Sequence, residues 1–237
     1  MTTFVLVHGA YHGAWCWHEV VPRLADRGHE AVPVELPAHG IDTTPPDAAT
    51  MADYVAAVTA AIDEADGEVA LVGHSMAGMV VSAAAEARPD AVGTLVYLTA
   101  YLPADGDAMF DHRVPGSPIS RAFVRDEDAG VGRVERDALA DLFYADCSPA
   151  QVALARSLVR GEPLGPLAEP VALTDAGHGS VRRVFVRCTE DRVITPEKQA
   201  AMVDARGVDA EYELPASHSP FLSMPERLVE TLADAAA

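Results

Sequence analysis

Cysteine is scarce in this 237-residue chain, and the three present, Cys16, Cys147 and Cys188, are odd in number and widely spaced, with no CxxC pair. That excludes a disulfide framework and the usual structural zinc arrangements, and a reducing cytoplasm is the expected compartment. Basic residues are few: 17 against 36 acidic ones, for a formal charge of -19. Such a surface repels phosphate backbones and anionic lipid, so neither nucleic acid nor a membrane is an expected partner. The acidity reads as a solubility feature, with a high-salt habitat as the other reading. No stretch approaches the roughly 20 apolar residues that span a bilayer. The start, Met1-Thr-Thr-Phe-Val-Leu-Val-His8, carries no basic leader and is expected to be neither signal peptide nor anchor.

About half of the residues are apolar (49%), the composition of a packed globule. At this length one α/β domain is expected to span 1–237. Phe4 to Val7 is a continuous apolar run closed by Gly9, the pattern of a buried parallel strand, and Ala31 to Val34 repeats it after a helically spaced segment from Trp17 to Arg27. Val69 to Val72, Thr94 to Leu98, Val184 to Arg187 and Ala210 to Leu214 continue the series. Helical stretches follow at Met51 to Ala65, Met79 to Ala87, Thr195 to Ala205 and Pro225 to Ala235. Strand and helix in alternation predict a mostly parallel, doubly wound sheet. From about Pro103 to Ala176 the rhythm breaks, and helical pieces such as Val134 to Phe143 and Pro149 to Val159 predict a helical cap over the sheet.

Gly73-His-Ser-Met-Ala-Gly78 places Gly-x-Ser-x-Gly directly after an apolar strand and before a helix. In that context the motif is a nucleophile elbow, with Ser75 forced into a strained turn and the Met76 N–H free to donate to an oxyanion. The His8-Gly9-Ala10 turn after the first strand is placed to supply a second donor, the Ala10 N–H. Serine needs a base, and of nine histidines His218 lies between the last strand and the last helix, at the sheet edge that carries Ser75. His74 is expected to point elsewhere on the turn, and His178 to sit in the exit loop of the cap. The acid is expected at Asp191, after Val184 to Cys188, rather than at its neighbour Glu190, with Asp105 as the alternative. His8, His12 and His18 lack the spacing of zinc ligands, so no metal and no other cofactor is expected.

With these residues in hand, the chain resembles the α/β-hydrolase subgroup of plant methylesterases, hydroxynitrile lyases and their bacterial carboxylesterase relatives. The likeness is carried by Phe4-Val-Leu-Val-His-Gly-Ala10 running on to His12-Gly-Ala-Trp15, and by the elbow. Phe143-Tyr-Ala-Asp-Cys-Ser148 and Arg187-Cys-Thr-Glu-Asp191 add to it. The resemblance implies an α/β-hydrolase fold, a triad of Ser75, His218 and Asp191, and an oxyanion hole from Ala10 and Met76. It implies ester hydrolysis, and the apolar cap with the net negative surface makes small, largely uncharged carboxylic esters the expected substrates. The cyanide-releasing branch carries threonine where Gly9 stands and lysine where Ser219 stands, which favours esterase over lyase. A lyase or cyclase on the same fold, or a ligand-binding receptor-like protein, are the alternatives. Met109, Phe110, Leu142, Phe143 and Tyr144 from the cap, with Gly9, Tyr11, Trp15 and Ser219 from bordering loops, are the expected substrate contacts. The expected partner is a small-molecule ester, and a homodimer is compatible with everything above.

Overall fold

The computed structural model describes residues 1–237. Six strands, β1 (Thr2–Val7), β2 (Glu30–Val34), β3 (Glu68–His74), β4 (Val92–Leu98) and, after the cap, β8 (Arg182–Cys188) and β9 (Ala210–Leu214), build one sheet in the order β2-β1-β3-β4-β8-β9. Every pairing in it is parallel. Helices α1 (Val20–Asp26), α2 (Met51–Glu64) and α3 (Ala77–Ala87) lie between the first four strands. The cap holds β5 (Phe123–Asp126), β6 (Val131–Val134) and β7 (Glu162–Pro163), with α4 (Pro118–Ala122), α5 (Leu139–Phe143), α6 (Pro149–Leu158) and α7 (Leu164–Ala168). Helix α8 (Pro196–Arg206) joins the last two sheet strands, and α9 (Pro220–Ser223) and α10 (Pro225–Ala235) close the chain. No helix is long and apolar enough to cross a membrane.

Both faces of the sheet are covered, which is why its central strands β1, β3 and β4 are apolar at consecutive positions, whereas the edge strand β9 alternates. Val5, Val7, Leu71, Tyr97 and Phe185 enter the layer shared with α2, α3 and α8. Phe4, Leu6, Val72, Val96 and Val186 enter the opposite layer, shared with α1 and α10. A parallel sheet delivers all its strand ends to one edge, and the loops after β1, β3, β4, β8 and β9 gather there.

To the helical insertion expected from the sequence the structure adds a small sheet. Phe123–Asp126, Val131–Val134 and Glu162–Pro163 form a three-stranded antiparallel sheet. The Val134 to Phe143 stretch is helical only from Leu139. Strands of two to four residues carry too few alternations for period-2 patterning to register.

Gly78, in the first turn of α3, packs against the loop after β4 so closely that a Cβ there would fall 1.9 Å from the Tyr101 carbonyl oxygen. The Tyr101 N–H in turn donates to the Ser75 carbonyl at 3.0 Å. Gly78→Ala is therefore expected to cost about 1–3 kcal/mol of stability through overpacking. It should also lower turnover by shifting the elbow. Urea unfolding alongside the kinetics checks both, and an unchanged midpoint would refute the packing argument.

Candidate active site

Ser75 sits between β3 and α3 with φ of 55°, in the left-handed region that a non-glycine residue occupies only under restraint. The restraint is visible: its N–H donates to the Leu98 carbonyl at 3.3 Å, and its own carbonyl accepts from Gly78 and Tyr101. Gly9 stands so close to the elbow that a Cβ would come 2.8 Å from the Ser75 Cβ. The β1 loop can thus lie against the nucleophile only because residue 9 has no side chain.

The loop after β9 brings His218 over this turn. Its Nε2 lies 3.0 Å from Ser75 Oγ and its Nδ1 2.7 Å from Asp191 Oδ2, so the ring donates to the carboxylate and accepts from the hydroxyl. Asp191, 3% exposed, is fully engaged. Its Oδ1 accepts the Val193 and Ile194 N–H groups at 2.6 and 3.0 Å, and its Oδ2 also accepts the Thr99 hydroxyl at 2.5 Å. Those bonds fix the carboxylate, which fixes the imidazole. Asp105, the alternative acid, is exposed and bonds the Leu173 N–H instead. Thr99, at the end of β4 with φ of 36°, was not foreseen. Its only sequence signal is its place after the strand next to the nucleophile's.

The amides of Ala10 and Met76 border the same pocket as the serine. Neither N–H is used by another backbone group among the loop and turn bonds. Met76 caps the N-terminus of α3, where unpaired N–H groups and the helix dipole favour negative charge. His12 braces Ala10 from behind, its Nδ1–H donating to the Ala10 carbonyl at 2.8 Å while its Nε2 accepts the Tyr144 hydroxyl at 2.8 Å. Burial holds the His12 imidazole down to about 4, against the smaller raising effect of that carbonyl bond, so it stays neutral.

Other histidines depart from expectation or take structural places. His74 does not point away from the site. It lies buried beneath the base, ring centroids 4.7 Å apart, and donates from Nε2 to the His218 carbonyl at 2.8 Å. Burial and the neighbouring His218 push its pKa far down. His178 bonds the Tyr97 hydroxyl at 2.8 Å. His8 accepts the Leu36 N–H, and His18 bonds the Trp15 carbonyl and lies 3.5 Å from Glu19.

The pocket above Ser75 occupies about 930 Å³, open mouth included, between the sheet edge and the cap. Of the expected contacts, Tyr11, Met109, Phe110 and Phe143 line it. Gly9, Trp15, Leu142, Tyr144 and Ser219 do not. Trp15 stacks on His12 and Tyr144 bonds the same ring, so both are props behind the wall. Leu142 and Ser219 are buried in packing, and Gly9 acts by having no side chain. Unforeseen wall residues come from the cap segment 112–123 and from Val193, Thr195 and Lys198 before and on α8.

A match to the alpha/beta hydrolase family covers residues 4–231. The chain belongs to that family. This alpha/beta hydrolase is 33% identical to salicylic acid-binding protein 2 of Nicotiana tabacum, over 98% of its own length and 96% of the relative's. It is 34% identical to methylesterase 1 of Arabidopsis thaliana, over 95% and 92%. Among solved structures, polyneuridine aldehyde esterase superposes on the hydrolase with a TM-score of 0.90 at 28% identity, covering all of both chains.

Proposed function

We propose that the protein is a serine carboxylesterase that cleaves small carboxylic esters through an acyl-enzyme on Ser75. The observation that carries this reading is the unbroken chain from Ser75 Oγ through His218 to Asp191, beside two amides with no other acceptor. Relatives named methylesterase and polyneuridine aldehyde esterase support an ester as substrate.

In the reaction so read, the Ser75 oxygen attacks the ester carbonyl as its proton passes to His218 Nε2. The carbonyl oxygen becomes an oxyanion between the Ala10 and Met76 N–H groups, each donor contributing about 10²–10³ in rate. The intermediate collapses, the C–O bond to the alcohol breaks, and the alcohol leaves with the proton from His218. Water then attacks the acyl carbonyl while His218 takes its proton, and the acid departs as the proton returns to Ser75. Asp191 stays ionised, holding the imidazole and stabilising its charged form.

A panel of p-nitrophenyl esters from acetate to decanoate tests the reading, together with a fluorophosphonate probe. Expected are saturable release of nitrophenol, a chain-length profile that tracks the pocket, and one phosphonyl adduct on the peptide bearing Ser75. Silence toward every ester with no adduct would move a lyase or a ligand receptor to the front.

A further inference from the structure

The sign of the charge inverts at the pocket. Acidic residues outnumber basic ones 36 to 17 and make up more than one residue in seven, yet none of the nineteen residues walling the pocket is acidic. Two are permanent cations, Arg113 and Lys198, the latter the only lysine in the chain. They come from different segments, Arg113 from the cap and Lys198 from the first turn of α8.

Neither head group has a hydrogen-bond or ion-pair partner in the chain. Arg113 enters no ion pair, and its guanidinium carbon lies 4.9 Å from the Phe123 ring centroid and 5.9 Å from that of Phe110. Arg125 approaches the other wall residue, Phe110, at 5.6 Å. The Arg113 charge reaches the Tyr11 phenol, where it opposes the upward push of burial and of Glu162. The Lys198 charge reaches the half-buried His112 imidazole, where it adds to the lowering by burial against the pull of Asp107. Asp107, which touches the wall residue His112, is already shared by His112 at 3.3 Å and Arg206 at 3.5 Å. A protein with acids to spare has left these two cations free beside an apolar floor.

We infer that the physiological ester carries a carboxylate at the end remote from its reacting carbonyl, held by Arg113 and Lys198 while the apolar middle lies on Phe110, Phe123 and Phe143. The inference rests on the esterase reading and narrows its substrate class. The expectation of an uncharged substrate drew on the apolar cap and the net charge of the chain, and a bound ligand meets the local field instead. Arginine offers a planar fork matched to a carboxylate, stacked on an aromatic wall that keeps it in place.

Two esters that differ only at the far end provide the test: p-nitrophenyl hexanoate and the mono-p-nitrophenyl ester of adipic acid, each corrected for spontaneous hydrolysis. The wild type is expected to turn over the adipate ester at least as efficiently as the hexanoate, mainly through KM, with the advantage shrinking as salt is added. In the Arg113→Gln/Lys198→Met double variant the ratio of adipate to hexanoate kcat/KM should fall by about tenfold or more, as for loss of a charged hydrogen bond. A wild type that handles hexanoate well but the adipate ester tenfold worse, with a ratio the double variant does not change, overturns the inference and leaves the esterase reading intact. Calorimetric binding of monomethyl adipate to Ser75→Ala, with and without the two cations, reads the same contact without turnover. It decides the matter even if no ester is hydrolysed: equal affinities would overturn the inference.

Discussion

Ser75→Ala is expected to lower kcat for any ester the protein cleaves by about 10⁴–10⁶, with KM changed little. In the proposed reaction the side chain removed is the nucleophile, so no later step of the cycle can form. The fold should be untouched, because the elbow is held by backbone bonds from Leu98, Gly78 and Tyr101 and not by the hydroxyl. His218→Ala should cost nearly as much. The double variant should be hardly worse than either single one, since the two groups act as one unit. Measured on protein free of contaminating esterase, with circular dichroism to confirm folding, residual activity above about one per cent of wild type would mean that another group attacks the ester.

Glu162→Ala is expected to remove about 3–5 kcal/mol of stability. For a chain of this size that lowers Tm by roughly 6–20 °C. Glu162, on the short cap strand β7, is completely buried and takes three donors. These are the Tyr11 N–H at 3.0 Å, His39 Nε2–H at 2.8 Å and the Tyr54 hydroxyl at 3.4 Å. The other His39 nitrogen donates to the Pro37 carbonyl, so both ring nitrogens face acceptors, as an imidazolium requires. Burial pulls the His39 pKa down, but the charge and hydrogen bond of Glu162 outweigh it and the net shift is upward. Truncation would strand a buried cation and an amide. Tyr11, with φ of 69°, directly follows Ala10, the proposed oxyanion donor, and the Arg160 N–H from the cap holds the Tyr11 carbonyl. A fall in kcat is therefore expected beside the fall in Tm.

The pH dependence of that difference has a definite sign. Because the folded pKa of His39 is raised, the contribution of the pair is fully present below the ordinary imidazole value near 6.5 and is lost as pH rises through the raised one. The Tm gap between wild type and Glu162→Ala should accordingly narrow on the alkaline side. Thermal unfolding across pH 5–9 checks it. A gap that widens with pH, or no gap at any pH, would refute the charged pair.

The sheet was legible because burial on both faces leaves a mark in the sequence. The runs from Phe4, Ala31, Val69, Thr94 and Val184 are short and apolar, and the structure extends each by one to three residues in all, while the edge strand Ala210 to Leu214 alternates apolar and acidic residues and keeps its bounds. Ser75, His218 and Asp191 were legible for a related reason. A parallel sheet sends its strand ends to one edge, so place in the chain order is nearly place in space, and the three groups do meet.

The cap was not legible in this way. Its strands are two to four residues long, and its wall residues, among them Arg113 and Phe123, follow no period, nor does Lys198 on α8. Their side chains share a cavity only because separate segments cross above the serine. The same holds for His74, whose role as a prop depends on a contact 144 residues away in sequence, and for Glu162, whose donors lie 108 to 151 residues away. The sequence by itself determined the layered architecture and the order of the reacting groups, since hydrophobic period and loop position are local properties. Tertiary structure alone decided which side chains brace the oxyanion loop and what charge faces the ligand, because those are set by long-range packing that no local pattern records.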